Sequence, residues 1–445
     1  MYDIPIPPDL PAQYLTRGRG AVFLAGGLLA VGAVSFLILL GSDPDRAWQE
    51  YVSNWLFFTS IAQGAVILCA VTVITKARWN WSVRRVSLAI GAFLPFSFLL
   101  LLPMLTLREN YFPWIELMAT DEIIQRKAAF LNIPFLTARN VLGALILFSL
   151  SLLFMYLALR PDLGPEREAD EKGGAARARW RRRLSRGWAG TAEEESRSWA
   201  KLSTLSPALV LVYAVVMSIF AIDWAMSLEP HWLSTMFPGW FFMGAFWGGI
   251  GATALVSVLL KWRSAYADKH ISSYQLHDLG KLTFAFSIFW TYLFWSQYIV
   301  IWYGKLPWEQ EWIIHRSGAE WGPLSLLVIV LCFLVPFAGL IGRKPKIIPS
   351  WLGGIALLAL LGLWIERFLL VAPSLHEAGT PTITIWEPLI GLGFLGLFGG
   401  TSHWFLATFP MIQMWQPKAE PEMREAELER SVLIGQRINR IAESP

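Results

Sequence analysis

Ten apolar runs of roughly 20 residues constrain this 445-residue chain more than any other feature. A run that long crosses the hydrocarbon of a bilayer as a helix, because there each backbone N–H and C=O must be paired within the element itself. The runs fall at about 20–41, 52–75, 86–107, 134–159, 205–227, 237–260, 279–303, 321–342, 349–371 and 386–409. The expected fold class is therefore an all-α integral membrane protein with ten transmembrane helices. Composition agrees: 16% of residues are charged, against about 25% in a soluble domain.

The segments between the runs alternate in charge. The N-terminal arm, the even-numbered loops and the C-terminal tail hold 28 of the 37 lysines and arginines, and the odd-numbered loops hold 6. Arg139, Lys281 and Arg367 complete the set from within the runs. Basic segments stay in the cytoplasm, so both termini are expected there. Residues 1–19 read as a short proline-rich cytoplasmic arm without a signal-peptide pattern. Residues 20–409 form the membrane domain, and 410–445 a cytoplasmic tail.

The loop 160–203 is the most basic stretch, with RARWRRRLSR at its centre. We read it as a segment held near anionic lipid and not as a nucleic-acid site. The tail beyond Pro417 mixes both signs at helical spacing, as a solvated or partner-bound helix does. The odd-numbered loops Arg108–Pro134 and Tyr303–Trp321 are long and aromatic. They read either as docking surface for an extramembrane partner or as caps. Much of the tryptophan, 24 residues in all, lies near the ends of the runs, as in an interfacial belt.

Both cysteines, Cys69 and Cys332, lie inside apolar runs, and there is no CxxC or CxxCH. The chain is thus expected to hold no metal, iron–sulfur cluster or c-type haem of its own. Of six histidines only His403 lies clearly within a run, so no facing pair for a b-haem is evident.

Ionisable groups inside the runs are the candidate functional residues, since each is costly in hydrocarbon. Ser218–Phe242 forms a hairpin with Asp223 about one turn inside its edge. Arg139, Glu366, Arg367 and Glu387 fall on the same side of the membrane. Two readings stand side by side: structural ion pairs that fix helix registry, and a proton relay or polar wall of a quinone pocket. A second group lies toward the cytoplasm. Asp278 and Lys281, three apart, share a helix face; His277 and Asp278 suit a helix cap; His403 follows Ser402. Tyr292, Ser296, Gln297 and Tyr298 would form a polar ladder above Lys281 if they face inward.

Five stretches together carry a resemblance: KAAFLNIPFLTAR (127–139), SIFAIDWAMSLEPHWLSTMF (218–237), HDLGKLTFAF (277–286), FWSQYIVIWYGKLP (294–307) and WIERFLLVAPSL (364–375). In order and spacing they resemble the NrfD-like membrane subunits of alternative complex III, a bacterial quinol:cytochrome c oxidoreductase related to polysulfide reductase. HDLGKL and SQYIVIWY look more like its F subunit, whereas the ERF triplet is found in the C type too.

The resemblance implies two four-helix bundles, spans two to five and six to nine, with spans one and ten peripheral. It implies a bacterial inner-membrane location and partners: an iron–sulfur subunit, a multihaem cytochrome c subunit, a C-type NrfD-like subunit and small membrane subunits. Haem c and iron–sulfur clusters would then sit in those partners, and menaquinone or ubiquinone would be the electron source. Asp223, Lys281, Arg139 and Arg367 become proton-pathway candidates, joined by Glu366, Glu387, Asp278, His403 and Tyr298. No quinol-binding histidine carries over by position; His231, in the hairpin turn, is a minor candidate. The competing readings are a stand-alone ion-coupled transporter and a purely structural subunit. Pro95, Pro103 and Pro336 break helices, but not at matching places in two halves as transporter repeats require.

Overall fold

The computed structural model describes residues 6, 7, 10–108, 110–164, 175–376 and 382–416. The tail helix expected beyond Pro417 and part of the basic loop lie outside the described residues. Among the described residues ten helices are long and apolar enough to cross a membrane. They are α1 (Arg19–Ser42), α2 (Pro44–Ile74), α3 (Trp81–Met104), α4 (Ile133–Leu159) and α5 (Thr191–Trp224). Then come α6 (Phe237–Arg263), α7 (Ser273–Gly304), α8 (Gly322–Leu340), α9 (Pro349–Leu375) and α10 (Trp386–Thr408). No strand occurs among the described residues. This is an all-α multi-pass membrane protein.

Local chemistry sets the helix starts earlier than hydropathy does. Asp43 accepts a hydrogen bond from the Arg46 N–H, and Pro44 occupies the first helical position, so α2 begins eight residues before its apolar run. Ser272 and Gln275 form a capping box at the start of α7. Asn132 caps α4 through the Phe135 N–H. Prolines shape two interiors. Pro95 cannot donate to the Gly91 carbonyl, and α3 breaks at Ala92–Phe93 into two halves. Pro336 likewise leaves the Cys332 carbonyl without its N–H, and α8 widens to a π turn over Val330–Leu334.

Helices α2 to α5 pack into one four-helix bundle and α6 to α9 into a second. α1 and α10 pair with each other at the edge, α10 resting on α2 and α3. The bundles meet where α2 crosses α6 and α9. At that crossing the backbones touch: a Cβ on Gly64 would lie 2.0 Å from the Ala245 carbonyl oxygen, and one on Gly249 2.2 Å from the Ala65 nitrogen. Small residues drive helix association in lipid because they permit such approach.

The end of the molecule that carries the two termini and the even-numbered loops is here the basic end. The described segments 10–18 and 409–416 pack on it: the Met411 N–H donates to the Gln13 carbonyl and the Leu15 N–H to the Leu406 carbonyl. The basic loop also folds back onto the protein. Arg177 donates to the Ala407 carbonyl and stacks on Tyr14, while Arg182 and Arg183 stay exposed. At the opposite end both long loops act as caps, with Tyr111, Phe112, Trp114, Trp312 and Trp321 buried. Tryptophan is also less of a belt than its sequence positions suggest. Trp55, Trp79, Trp224, Trp247, Trp321 and Trp415 are wholly buried, several as hydrogen-bond donors to another element.

Replacing Gly249 by leucine should prevent a monodisperse folded protein, because backbone opposes the new side chain. Gly354, with open space around its would-be Cβ, should accept leucine. Size-exclusion profiles and Tm in detergent for the two variants check this.

Candidate functional site

The charges placed inside the apolar runs resolve into separate pairs, most of them toward the end opposite the basic one. The best-connected joins α4 to α5. Arg139 grips Asp223 with two hydrogen bonds, Nε to Oδ2 at 2.7 Å and Nη2 to Oδ1 at 2.5 Å. Asn140 adds a third donor to Oδ2 at 2.6 Å. Trp224 Nε1 donates to the Asn140 side-chain oxygen at 2.8 Å, and the Tyr111 hydroxyl to the Trp224 carbonyl at 2.9 Å. The guanidinium is completed by the Phe130 carbonyl and lies over the Phe130 ring. Asp223 is fully buried with both oxygens occupied. A carboxylate held by a bidentate arginine is fixed in place, and this one locks the two helices in register.

Glu366 and Arg367 pair with each other on α9, Nη1 lying 2.5 and 2.8 Å from the two carboxylate oxygens. Arg367 also donates to the Phe241 carbonyl of α6 and stacks over that ring. Both residues are buried, about 13 Å from the end of α9. Glu387 pairs with Arg46 of α2, at 2.5 and 2.8 Å, and accepts from the Thr384 N–H and hydroxyl. The expected single gathering of charges is thus three distinct clamps: α4 to α5, α9 to α6, and α10 to α2.

A fourth contact ties the hairpin turn to the loop helix Pro307–Ser317. Arg316 donates to Glu229 Oε1 at 2.8 Å, to the Ser374 hydroxyl at 2.6 Å and to the Leu369 carbonyl at 2.9 Å. Burial pushes its guanidinium down from the ordinary value, and Glu229 pulls it back up.

One buried carboxyl in this region has no such partner. Glu50 is 1% exposed, and among the described residues no hydrogen-bond donor reaches its carboxylate. It lines a cavity of about 300 Å³ together with Arg46, Gln49 and His376, and the exposed Asp43, Asp45 and Asn110 stand at the rim. Arg46 and Glu387 lie within electrostatic reach. Hydropathy missed Glu50 by placing the start of span two at residue 52; the Asp43-Pro44 start signal brings it inside the helix.

At the basic end, Lys281 lies 2.5 Å from Asp278. Asp278 is buried but has no aligned hydrogen-bond donor, and the Lys281 side chain is 38% exposed. The polar ladder on α7 does not form as expected. Tyr292 is exposed, Tyr298 half-buried, and only Gln297 of the four is buried. The buried hydroxyls below them, Thr283 and Ser287, donate to their own helix at Leu279 and Phe284. The periodicity places Thr283, Ser287 and Trp290 inward, so Tyr292 must face out.

His231 is at the surface, its Nε2 2.9 Å from Asp121. An apolar crevice of about 370 Å³ passes beside it, lined by Pro230 and Trp232 but not by His231 itself. His403 has a buried Nε2 without a hydrogen-bond partner. A pair that the sequence reading missed altogether is Arg85 with Asp162, both fully buried at the basic end, where Asp162 also accepts from the Met414 N–H. Hydropathy puts Arg85 one residue outside span three. Among the described residues no cluster of three or more His, Cys, Asp and Glu side chains could hold a metal.

No protein-family model matches the chain, and no curated protein is significantly similar to it.

Removing one partner of a buried pair leaves a lone charge and costs about 3–5 kcal/mol. Asp223→Asn and Arg139→Met should each lower stability strongly, and the double variant by less than the sum. Thermal unfolding of the four proteins in one detergent measures the coupling; additive losses would show that the clamp carries none.

Proposed function

We propose that this chain is an integral membrane subunit of a bacterial respiratory quinol:electron-acceptor oxidoreductase of the alternative complex III kind. In this reading it supports quinol oxidation and proton translocation from the inner membrane, with both termini in the cytoplasm. Electrons would pass through the haem c and iron–sulfur clusters of partner subunits, from menaquinone or ubiquinone.

One observation carries the reading: three of the stretches that bear the resemblance meet around buried charges at one end of the molecule. Stretch 127–139 supplies Arg139, and Lys127 donates to the Pro230 carbonyl. Stretch 218–237 supplies Asp223 and Glu229. Stretch 364–375 supplies Glu366, Arg367 and Ser374, and Ser374 donates to Glu229 at 2.6 Å. Segments far apart in sequence thus build one surface with buried polar contacts, which suits a membrane subunit coupled to a partner at that end.

Within this reading Glu50 is the group suited to exchange protons. It faces a cavity rimmed by exposed polar residues, whereas Asp223 is saturated. A proton carrier must gain and lose its proton within a turnover, and a carboxylate with three donors resists that. The saturation of Asp223 also favours a second reading, in which this chain is a structural subunit of the same complex.

Gentle purification of the tagged chain from its native membrane should bring haem c and iron–sulfur subunits with it, seen by mass spectrometry and a reduced-minus-oxidised spectrum. A colourless chain isolated alone, while other respiratory complexes survive, would move the weight to a stand-alone transporter. In the assembled complex, Glu50→Gln should leave assembly intact and lower the protons moved per electron. Unchanged stoichiometry in that variant would favour the structural reading.

A further inference from the structure

A trench runs along the membrane-facing side of the second bundle, between α6, α9 and α10, with α2 as its floor. Its volume is about 580 Å³. On α10 it extends from Pro388 to Leu406, about 27 Å along the helix axis, which is nearly the thickness of the hydrocarbon core. The walls are apolar along this length, built from residues such as Leu255, Leu357 and Leu395.

The basic end of the trench is different. Arg263, the last residue of α6, and His403 line it there. Arg263 is exposed, and among the described residues it has no carboxylate partner. His403 Nε2 is buried and has no hydrogen-bond partner. Among the described residues Arg17 donates to the Thr408 hydroxyl, at 3.2 Å, and to no carboxylate, and it shares electrostatic reach of His403 with Arg263. Elsewhere in this molecule the part-buried Arg46 and the buried Arg85, Arg139, Arg316 and Arg367 each face a carboxylate, and the buried Arg84 donates to the Thr72 hydroxyl and the Asn80 side-chain oxygen. Here Arg263 and His403 line the open end of an apolar trench without a carboxylate among the described residues, and the Arg17 guanidinium adds its charge within electrostatic reach.

We propose that this trench binds an anionic phospholipid from the leaflet at the basic end. The phosphate lies among Arg263, Arg17 and His403, and an acyl chain fills the trench beside α10. Charge complementarity selects this occupant: a neutral quinone ring gains little from two guanidinia, whereas a phosphate diester accepts from both. The site stands whether or not the chain belongs to a quinol-oxidising complex.

Native mass spectrometry of the full chain tests this, after delipidation and reconstitution with phosphatidylglycerol or phosphatidylcholine. Wild type should retain phosphatidylglycerol in preference to phosphatidylcholine. The double variant Arg17→Gln/Arg263→Gln should lose that preference, with phosphatidylglycerol retention falling about tenfold or more. Leu395→Trp, which fills the trench at a half-exposed position without altering charge, should lower retention of the same lipid. Equal retention of both lipids by wild type would overturn the proposal. So would phosphatidylglycerol retention unaffected by both variants, or a co-purified quinone displaced by Leu395→Trp.

Discussion

The α2–α6 crossing is the contact on which the rest of this molecule depends. α2 is the most buried of the ten membrane helices, and it reaches both bundles because Gly64 and Gly249 let two backbones touch. In lipid, hydrophobic burial gives helices little reason to associate; close packing and internal polar contacts supply it. With α2 seated, its side chains serve both halves. Trp55 Nε1 reaches the Ser97 carbonyl on α3 and the Gln63 amide reaches Ser151 on α4, while on the other side Asn54 accepts from Trp364 Nε1 of α9 and the Gln49 amide reaches the Leu375 carbonyl.

The buried charges follow from the same packing. Hydrocarbon offers no water to an isolated guanidinium or carboxylate, so each charge in the interior needs a partner from a neighbouring turn or helix. Arg139–Asp223, Arg46–Glu387 and Arg85–Asp162 each link different helices or loops. Such pairs add little net stability over apolar packing, yet breaking one is costly, so they discriminate among registries. Against that background the exceptions gain meaning. Glu50, buried beside a polar cavity without a donor, and Arg263, exposed at the end of a trench without a carboxylate, stand outside that pattern.

Much of the fold was legible because hydropathy reports directly on the bilayer. Ten runs gave ten helices, and spacing put Asp278 and Lys281 on one helix face, where they pair; the cap expected of His277 and Asp278 is instead made by Ser272 and Gln275, one turn earlier. The misses have physical causes. The helix starts at Pro44 and Trp81 lie in polar sequence that hydropathy does not register, the first set by the Asp43 cap and Pro44, so hydropathy leaves Glu50 and Arg85 outside their spans. The α7 ladder failed because a weakly buried helix can turn most of its polar residues outward, and periodicity alone does not say which face meets the bundle.

The sequence by itself determined that the chain crosses the membrane ten times, where its charges lie along each helix, and that it carries no motif for a metal or haem. Those properties depend on composition along one helix at a time. Only the tertiary structure decided that the gathered charges are three separate clamps, that Asp223 is saturated while Glu50 is not, and that an apolar trench ends at unpaired cations. These depend on which faces of distant helices meet, and that is set by glycine contacts and kinks between segments hundreds of residues apart.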